Sequence, residues 1–190
     1  MKRQIFLTVL YACLTTTAEA GSHSRIANYA VAGKTAADVL EIIKTTAPRV
    51  AANATFAFTL PATKTQSKLA KAKGSCKFSA FKTSAFYVFY LPKHIQPETM
   101  SKATRAKWNV FVDYLKIHEQ GHAGSWDSCF ADYDSQALKL QAKTCPQLDN
   151  IREKLFTKIK RACLVLDEKM DVNFRKDAQR VPFLAEALRK

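Results

Sequence analysis

One short segment of the 190-residue chain has residue types and spacing suited to metal chemistry: His118-Glu119-Gln120-Gly121-His122. In a helix, residues four apart lie on one face, so these two imidazoles can bind one Zn²⁺ through nitrogen. The intervening Glu119 then reaches the water on the metal and can act as a general base. The spacing predicts His118 and His122 as zinc ligands and Glu119 as the catalytic base of a peptide-hydrolysing site.

The third zinc ligand is left open by this motif. An extended form of the motif would place glycine at 125 and histidine at 128, but the chain has Ser125 and Ser128. His23 and His94 are expected to have structural or surface roles. A carboxylate is therefore the expected ligand, and the sequence does not choose among the acids on the helices after the motif: Asp127, Asp132, Asp134, Glu153, Asp167, Glu168 and Asp171.

The motif lies on a predicted amphipathic helix within a region that looks helical throughout after Pro97. Apolar residues recur at three- and four-residue steps and lead into the two histidines, which should therefore face the interior: Trp108, Phe111, Val112 and Leu115. A further helix is expected over about 126–141, and another over 148–170, with Pro146 between them. The last two should form an antiparallel hairpin.

The segment before Pro97 begins with a predicted strand over 25–32. A helix follows, because Thr35 and Asp38 have the spacing of a capping box and Pro48 can end the helix. A second strand is predicted over 55–60.

Proline and lysine positions shape the prediction for the rest of this segment. Pro61 is expected to end the second strand, and the polar, Lys-rich residues 62–75 are expected to form an exposed loop. Residues 76–91 are rich in aromatic and β-branched side chains, which indicates one long strand or a hairpin turning near 82–84, ended by Pro92. The predicted fold is α+β, a small mainly antiparallel sheet packed on a C-terminal group of helices.

Four cysteines follow the N-terminal segment: Cys76, Cys129, Cys145 and Cys163. An even number without a C-x-x-C pair favours two disulfides over a cysteine zinc site. In a helical hairpin turning near residue 146, positions 129 and 163 lie opposite each other, which favours the pair Cys129–Cys163. Cys145 would then join the hairpin to the sheet through Cys76, although four cysteines allow three connectivities.

Residues 1–20 have the layout of a secretory signal, with Lys2 and Arg3 before an apolar run and a small-residue cleavage site ending at Ala20. Lipid attachment at Cys13 is a minor alternative. We expect a secreted or periplasmic protein whose residues 21–190 form a single zinc-protease-like domain, with no transmembrane segment after signal removal.

The chain is strongly basic, with 30 Lys and Arg against 16 Asp and Glu and a net charge of +14. Such a field attracts polyanions, so anionic polymers of the cell envelope are candidate partners. The basic residues are scattered apart from a cluster over 64–77, and they lack the aromatic interleaving of nucleic-acid readers. No specific nucleic-acid partner is expected.

Three segments, in their order along the chain, resemble the corresponding parts of a bacterial domain-of-unknown-function family. This family is described as predicted secreted zinc-dependent proteases. The three segments are residues 29–35, the strand after Cys76 that ends in Leu91-Pro92, and the motif helix 108–122. The tail, with Phe174, Asp177 and Ala178, matches the family loosely. The resemblance implies a zincin-like motif helix, a zinc cofactor and a peptide or protein substrate.

Two other functions compete with zinc-dependent proteolysis. One is a non-catalytic envelope protein that binds anionic polymer through its basic surface while the histidine segment is inactive. The other is a zinc enzyme that acts on a bond other than a peptide, because an activated water attacks many acyl centres.

Overall fold

The computed structural model describes residues 23–47, 49–50, 53–54 and 56–189. The predicted signal segment with Cys13, and the predicted helix end at Pro48, lie outside these residues. In chain order the elements are β1 (His23–Val31), α1 (Ala36–Thr46), β2 (Arg49–Val50), β3 (Asn53–Ala54), β4 (Phe58–Ala72), β5 (Ser75–His94), a short 3₁₀ helix (Pro97–Thr99), α2 (Lys102–Ala137), β6 (Gln141–Ala142), α3 (Cys145–Ala178) and α4 (Pro182–Ala187).

The four-stranded sheet is built around the long strand β5. β4 pairs with it antiparallel, β6 pairs antiparallel at residues 76–77, and β1 pairs parallel along the other edge from Phe86 onward. The helix α1 follows β1 and begins with the predicted capping box, in which Thr35 and Asp38 exchange hydrogen bonds. The mixed α+β class, with a mostly antiparallel sheet and C-terminal helices, is confirmed.

The prediction that Pro61 ends the second strand is wrong, and so is the exposed loop over 62–75. β4 begins at Phe58, continues through Pro61 to Ala72 and so covers most of both segments, and the chain turns into β5 at Lys73-Gly74. Proline is tolerated here because β4 is an edge strand, whose outward N–H groups have no partner to lose. Gly74 adopts φ +69°, which suits a tight turn.

β5 is one uninterrupted strand, so the alternative of a hairpin near residues 82–84 is also wrong, and Pro92 does not end the strand. The edge of β5 between its contacts with β6 and β1 is covered by α2. There the Thr83 backbone N–H donates to both carboxylate oxygens of Asp134 at 2.9 Å. The buried Asp134 therefore serves as a cap on the sheet edge.

α2 is a single helix of 36 residues that ends at Ala137. The sequence pattern predicts two helices here, the second over about 126–141, so the predicted break between them is wrong. Gly121 and Gly124 do not interrupt α2. Its buried side packs on β5, with Phe81 and Tyr133 in edge contact at a ring-centroid distance of 5.2 Å. A helix of this length spans about 54 Å. The motif at 118–122 lies in its middle, with more than three helical turns before it and after it.

α3 returns antiparallel to α2, as the predicted helical hairpin requires. Two disulfides fix this arrangement: Cys129 with Cys163 between the helices, and Cys76 with Cys145 between β5 and the start of α3. These are the two pairings favoured by the hairpin geometry. No helix among the described residues is long and apolar enough to cross a membrane.

Candidate metal centre

The two motif histidines converge with one carboxylate from α3. His118 Nε2 lies 3.0 Å from His122 Nε2, and Asp171 Oδ1 lies 3.1 Å from each of these nitrogens. Among the described residues, these three form the one group of His, Cys, Asp and Glu side chains close enough to share a metal ion. Asp171 is thus the carboxylate that the structure brings to the motif.

The three converging atoms fit a small cation. A tetrahedral Zn²⁺ with bonds of about 2.0–2.1 Å would separate its ligand atoms by about 3.3 Å, close to the 3.0–3.1 Å found here. Three lone-pair atoms at such distances repel one another unless a proton or a metal ion lies among them. Two imidazoles with one carboxylate also form a ligand set that zinc accepts in hydrolytic sites.

Asp167 orients His122 through the ring nitrogen that faces away from His118 and Asp171. His122 Nδ1 lies 3.0 Å from Asp167 Oδ1, while Trp126 Nε1–H donates to Asp167 Oδ2 at 2.6 Å. Because Asp167 can only accept, Nδ1 carries the hydrogen and Nε2 is left free to bind a metal. Asp167 and Asp171 are one helical turn apart on α3, so one helix face supplies both carboxylates that contact the histidines.

The ionisation of the cluster favours a positive charge at its centre. Burial lowers the pKa of His122, but hydrogen bonds with Asp167 and Asp171 outweigh it and raise that pKa to about 10. Hydrogen bonds with His118 and then His122 hold the pKa of the Asp171 carboxyl well below its usual value. A metal ion at this point would take over the charge that a proton carries in the metal-free protein.

His118 is positioned by packing. Its ring stacks on Phe174 of α3 with centroids 4.1 Å apart. α3 also meets the motif at Gly121, where an added Cβ would lie 2.9 Å from Cε of Met170, the far end of a flexible side chain. Phe174 and Met170 thus pack on the same part of the motif helix to which α3 brings Asp171.

Glu119 connects the motif to the sheet edge. Glu119 is only 2% exposed, and Thr59 of β4 donates a hydrogen bond from Oγ1 to Glu119 Oε2 at 2.7 Å. Burial raises the pKa of the Glu119 carboxyl, and the hydrogen bond from Thr59 acts in the opposite direction. A raised carboxyl pKa suits a group that must take up and release a proton near neutral pH.

The cluster opens into a cleft of about 920 Å³. The edge strand β4 and the residues before it form one side of the cleft, and the helices form the other. Its apolar lining includes Leu40, Ile43, Phe56, Leu115, Leu184 and Leu188. The Asp171 side chain is 47% exposed, so the cluster of His118, His122 and Asp171 is reachable from solvent.

The other acids that the sequence offered as ligands lie away from the cluster. Asp127 accepts from the Tyr87 hydroxyl at 2.7 Å, and Asp134 caps β5. The remaining three are on exposed helix surfaces, where two of them bind neighbouring side chains: Asp132, Glu153 and Glu168.

Neither of the other two histidines in the described residues joins the cluster. The buried His94 bridges Gly33 O and the Gln96 backbone N–H, which is a structural role, and His23 is exposed at the start of β1.

Comparison with known proteins places the chain in a family. The model of a bacterial family of proteins of unknown function, DUF922, matches residues 26–173, which is more than three quarters of the chain. The matched region begins within β1, at Ile26, and contains the motif helix and the part of α3 that carries Asp167 and Asp171. The search of curated proteins and the search of solved structures found no match.

Proposed function

The chain belongs to the bacterial DUF922 family of unknown function, and we propose that it is a zinc-dependent metallopeptidase that works outside the cytoplasm. The observation that carries this proposal is the convergence of His118, His122 and Asp171 beside Glu119 in an open cleft. The two disulfides support an oxidising compartment, because such bonds are rare in the cytosol. The family description names no activity, so the proposal depends on this site.

His118, His122 and Asp171 would hold the zinc ion, and Asp167 would keep His122 in the tautomer that binds it. When bound, zinc lowers the pKa of its water to about 7 and polarises the scissile carbonyl. Glu119 would accept the proton that an attacking water loses as its oxygen adds to the carbonyl carbon. Glu119 would then pass this proton to the leaving amine as the carbon–nitrogen bond breaks.

Thr59 is a positioning residue for this base. Its hydroxyl donates to one oxygen of Glu119, which leaves the other oxygen free to face the reacting water. Because Thr59 lies on the edge strand β4, the same strand that borders the cleft also fixes the orientation of the base.

The cleft suits an extended peptide. β4 is the terminal strand of the described sheet, so an incoming peptide can add to its free edge and lie across the motif helix. The apolar lining from α1, α2 and α4 favours a large apolar side chain next to the scissile bond.

The direct test is metal content, measured by elemental mass spectrometry on the purified protein and two histidine variants. The wild type and His23→Ala, which changes an exposed histidine outside the cleft, should each carry one zinc per chain after reconstitution. His122→Ala should lose it. Equal zinc in His122→Ala and His23→Ala would refute the site.

Activity is tested on a library of quenched fluorescent peptides with apolar and polar residues around each bond. Zinc-loaded protein should cleave members with a large apolar residue, and a chelator should abolish cleavage that added zinc restores. If esters or other acyl compounds are hydrolysed and no peptide is, the site is that of a zinc hydrolase with another substrate class.

A further inference from the structure

The part of β4 and β5 between residues 62 and 84, here called the basic ribbon, carries charge of one sign. No Asp or Glu occurs between Glu41 and Glu98, while nine Lys and Arg residues do. Within the basic ribbon every charged residue is a lysine. The basic ribbon therefore carries only positive charge, whereas the helices carry both acidic and basic side chains.

Strand alternation places four of these lysines on one face. On β5, Lys77 lies between the buried Cys76 and Phe78, and Lys82 lies between the buried Phe81 and Thr83, so both lysines leave the strand on the side away from the core. Lys77 and Lys82 are on this outer face. The register pairs Ala70 with Lys77 and Gln66 with Lys82, so the even-numbered residues of β4 share it.

The same register spaces the backbone positions of the four lysines in a row. Lys82 is opposite Gln66 and thus diagonal to both Lys64 and Lys68, and Lys77 is opposite Ala70 and diagonal to Lys68. Diagonal neighbours in an antiparallel pair are about 7–8 Å apart. The row Lys64, Lys82, Lys68, Lys77 follows the long axis of the ribbon.

This row is not neutralised by the protein itself. Among the described residues its one salt bridge joins Lys82 Nζ to Asp134 Oδ2 at 3.7 Å, and the Lys82 side chain is still 60% exposed. Like charges at this spacing repel one another. An extended partner with regularly spaced negative charges would remove that repulsion along the whole row.

The residue types on this face indicate what kind of polyanion fits. All four cations are lysines, which are point charges, and the face lacks arginine with its bidentate geometry for specific recognition. The side chains between the lysines are Gln66, Ala70, Ala80 and Ser84, and the exposed Phe86 lies beyond the end of the row, so no series of aromatic rings runs among the lysines to stack on successive bases. The turn at Lys73-Gly74 has no apolar residue to insert into a membrane.

We propose that the outer face of the basic ribbon binds a linear phosphate polymer that carries no bases, by charge density along its backbone. This interaction does not depend on zinc or on peptide hydrolysis. The candidate face is separate from the cleft beside the histidines, because no residue between 62 and 84 lines that cleft.

The test measures binding of the full protein to a labelled poly(glycerol phosphate) chain over a series of salt concentrations. The variant Lys64→Gln/Lys68→Gln/Lys77→Gln should bind at least about tenfold more weakly, and its salt slope should be smaller by about 2 to 3. The matched control Lys154→Gln/Lys158→Gln/Lys160→Gln removes the same charge from exposed positions on α3. It should bind within about twofold of the wild type.

Several results would overturn the proposal. One is equal loss in both triple variants, which would mean that only net charge matters. Another is absence of binding near physiological salt. Tighter binding to oligothymidylate of equal charge would indicate base recognition, and tighter binding to anionic lipid vesicles would indicate a membrane surface. Thermal unfolding of both variants checks the fold, and aggregation of the ribbon variant with unchanged polymer binding would assign these lysines to protection of the edge strand.

Discussion

The cleft between α2 and α3 and the basic ribbon of β4 and β5 arrange charge in opposite ways. In the cleft, Asp167 and Asp171 are placed within hydrogen-bond distance of two mostly buried histidines, so that opposite charges concentrate at one point. On the ribbon, lysines are spread along an exposed face without acids. The first arrangement suits one small cation and the second suits a long anion, so the two should respond to different mutations.

The largest expected effect concerns Glu119. Glu119→Gln should leave zinc content and zinc affinity nearly unchanged and reduce kcat for peptide cleavage by about 10³-fold, because the amide cannot accept the proton. Steady-state kinetics together with metal analysis of the same preparation measure this. Retained hydrolysis in the zinc-loaded variant would remove Glu119 from the mechanism.

Asp171 should be needed for zinc itself. Mutating a residue that hydrogen-bonds to a metal ligand typically lowers metal affinity by about 10- to 100-fold. Asp171→Asn should lower zinc affinity by more than this, because it removes a carboxylate that binds the zinc ion itself. Its matched control is Glu168→Gln, which removes the same charge from an exposed position one turn earlier on α3. Competition titration with a chromogenic chelator compares them, and similar affinities would show that Asp171 does not bind the metal.

Asp167 should have an intermediate effect through His122. Asp167→Asn should weaken zinc binding by about 10- to 100-fold while keeping one zinc per chain at saturation. Trp126→Phe, which removes the 2.6 Å hydrogen bond to Asp167, should weaken it less. If both variants bind zinc as the wild type does, this carboxylate contributes only to packing.

Thr59 should affect turnover more than binding. Thr59→Val keeps the shape of the side chain but removes the hydrogen bond to Glu119, and should lower kcat about tenfold with little change in KM or zinc affinity. Thr59→Ser should restore most of the activity, since it keeps the hydroxyl. A Ser variant as slow as the Val variant would indicate a role in packing instead of positioning.

Local patterns were enough to predict much of the fold. Spacing alone located the capping box at Thr35 and Asp38 and the helical course of the motif, because these depend on contacts between residues close in sequence. The part of β4 after Pro61 was not predicted, because residues on both of its faces are mostly polar and exposed, so the usual alternation of apolar and polar residues is absent. Its edge position, a tertiary feature, is what tolerates Pro61.

The sequence contains enough information to reduce the candidate third ligands to two acids of α3. The hairpin register that places 129 opposite 163 also places 122 opposite 170 and 118 opposite 174. Met170 contacts Gly121 and Phe174 stacks on His118, so this register holds. Asp167 and Asp171 are the acids nearest to those positions on one helix face. Thr59 could not be found this way, because its contact with Glu119 joins residues 60 positions apart.

Zinc-edge X-ray absorption on the zinc-loaded protein tests the central claim most directly. We expect a spectrum with two imidazole ligands and oxygen neighbours at about 2.0–2.1 Å from the wild type and from His23→Ala, and no protein-bound zinc signal from His122→Ala. A spectrum of sulfur neighbours at about 2.3 Å, or of oxygen alone without imidazole, would contradict a zinc centre formed by His118, His122 and Asp171.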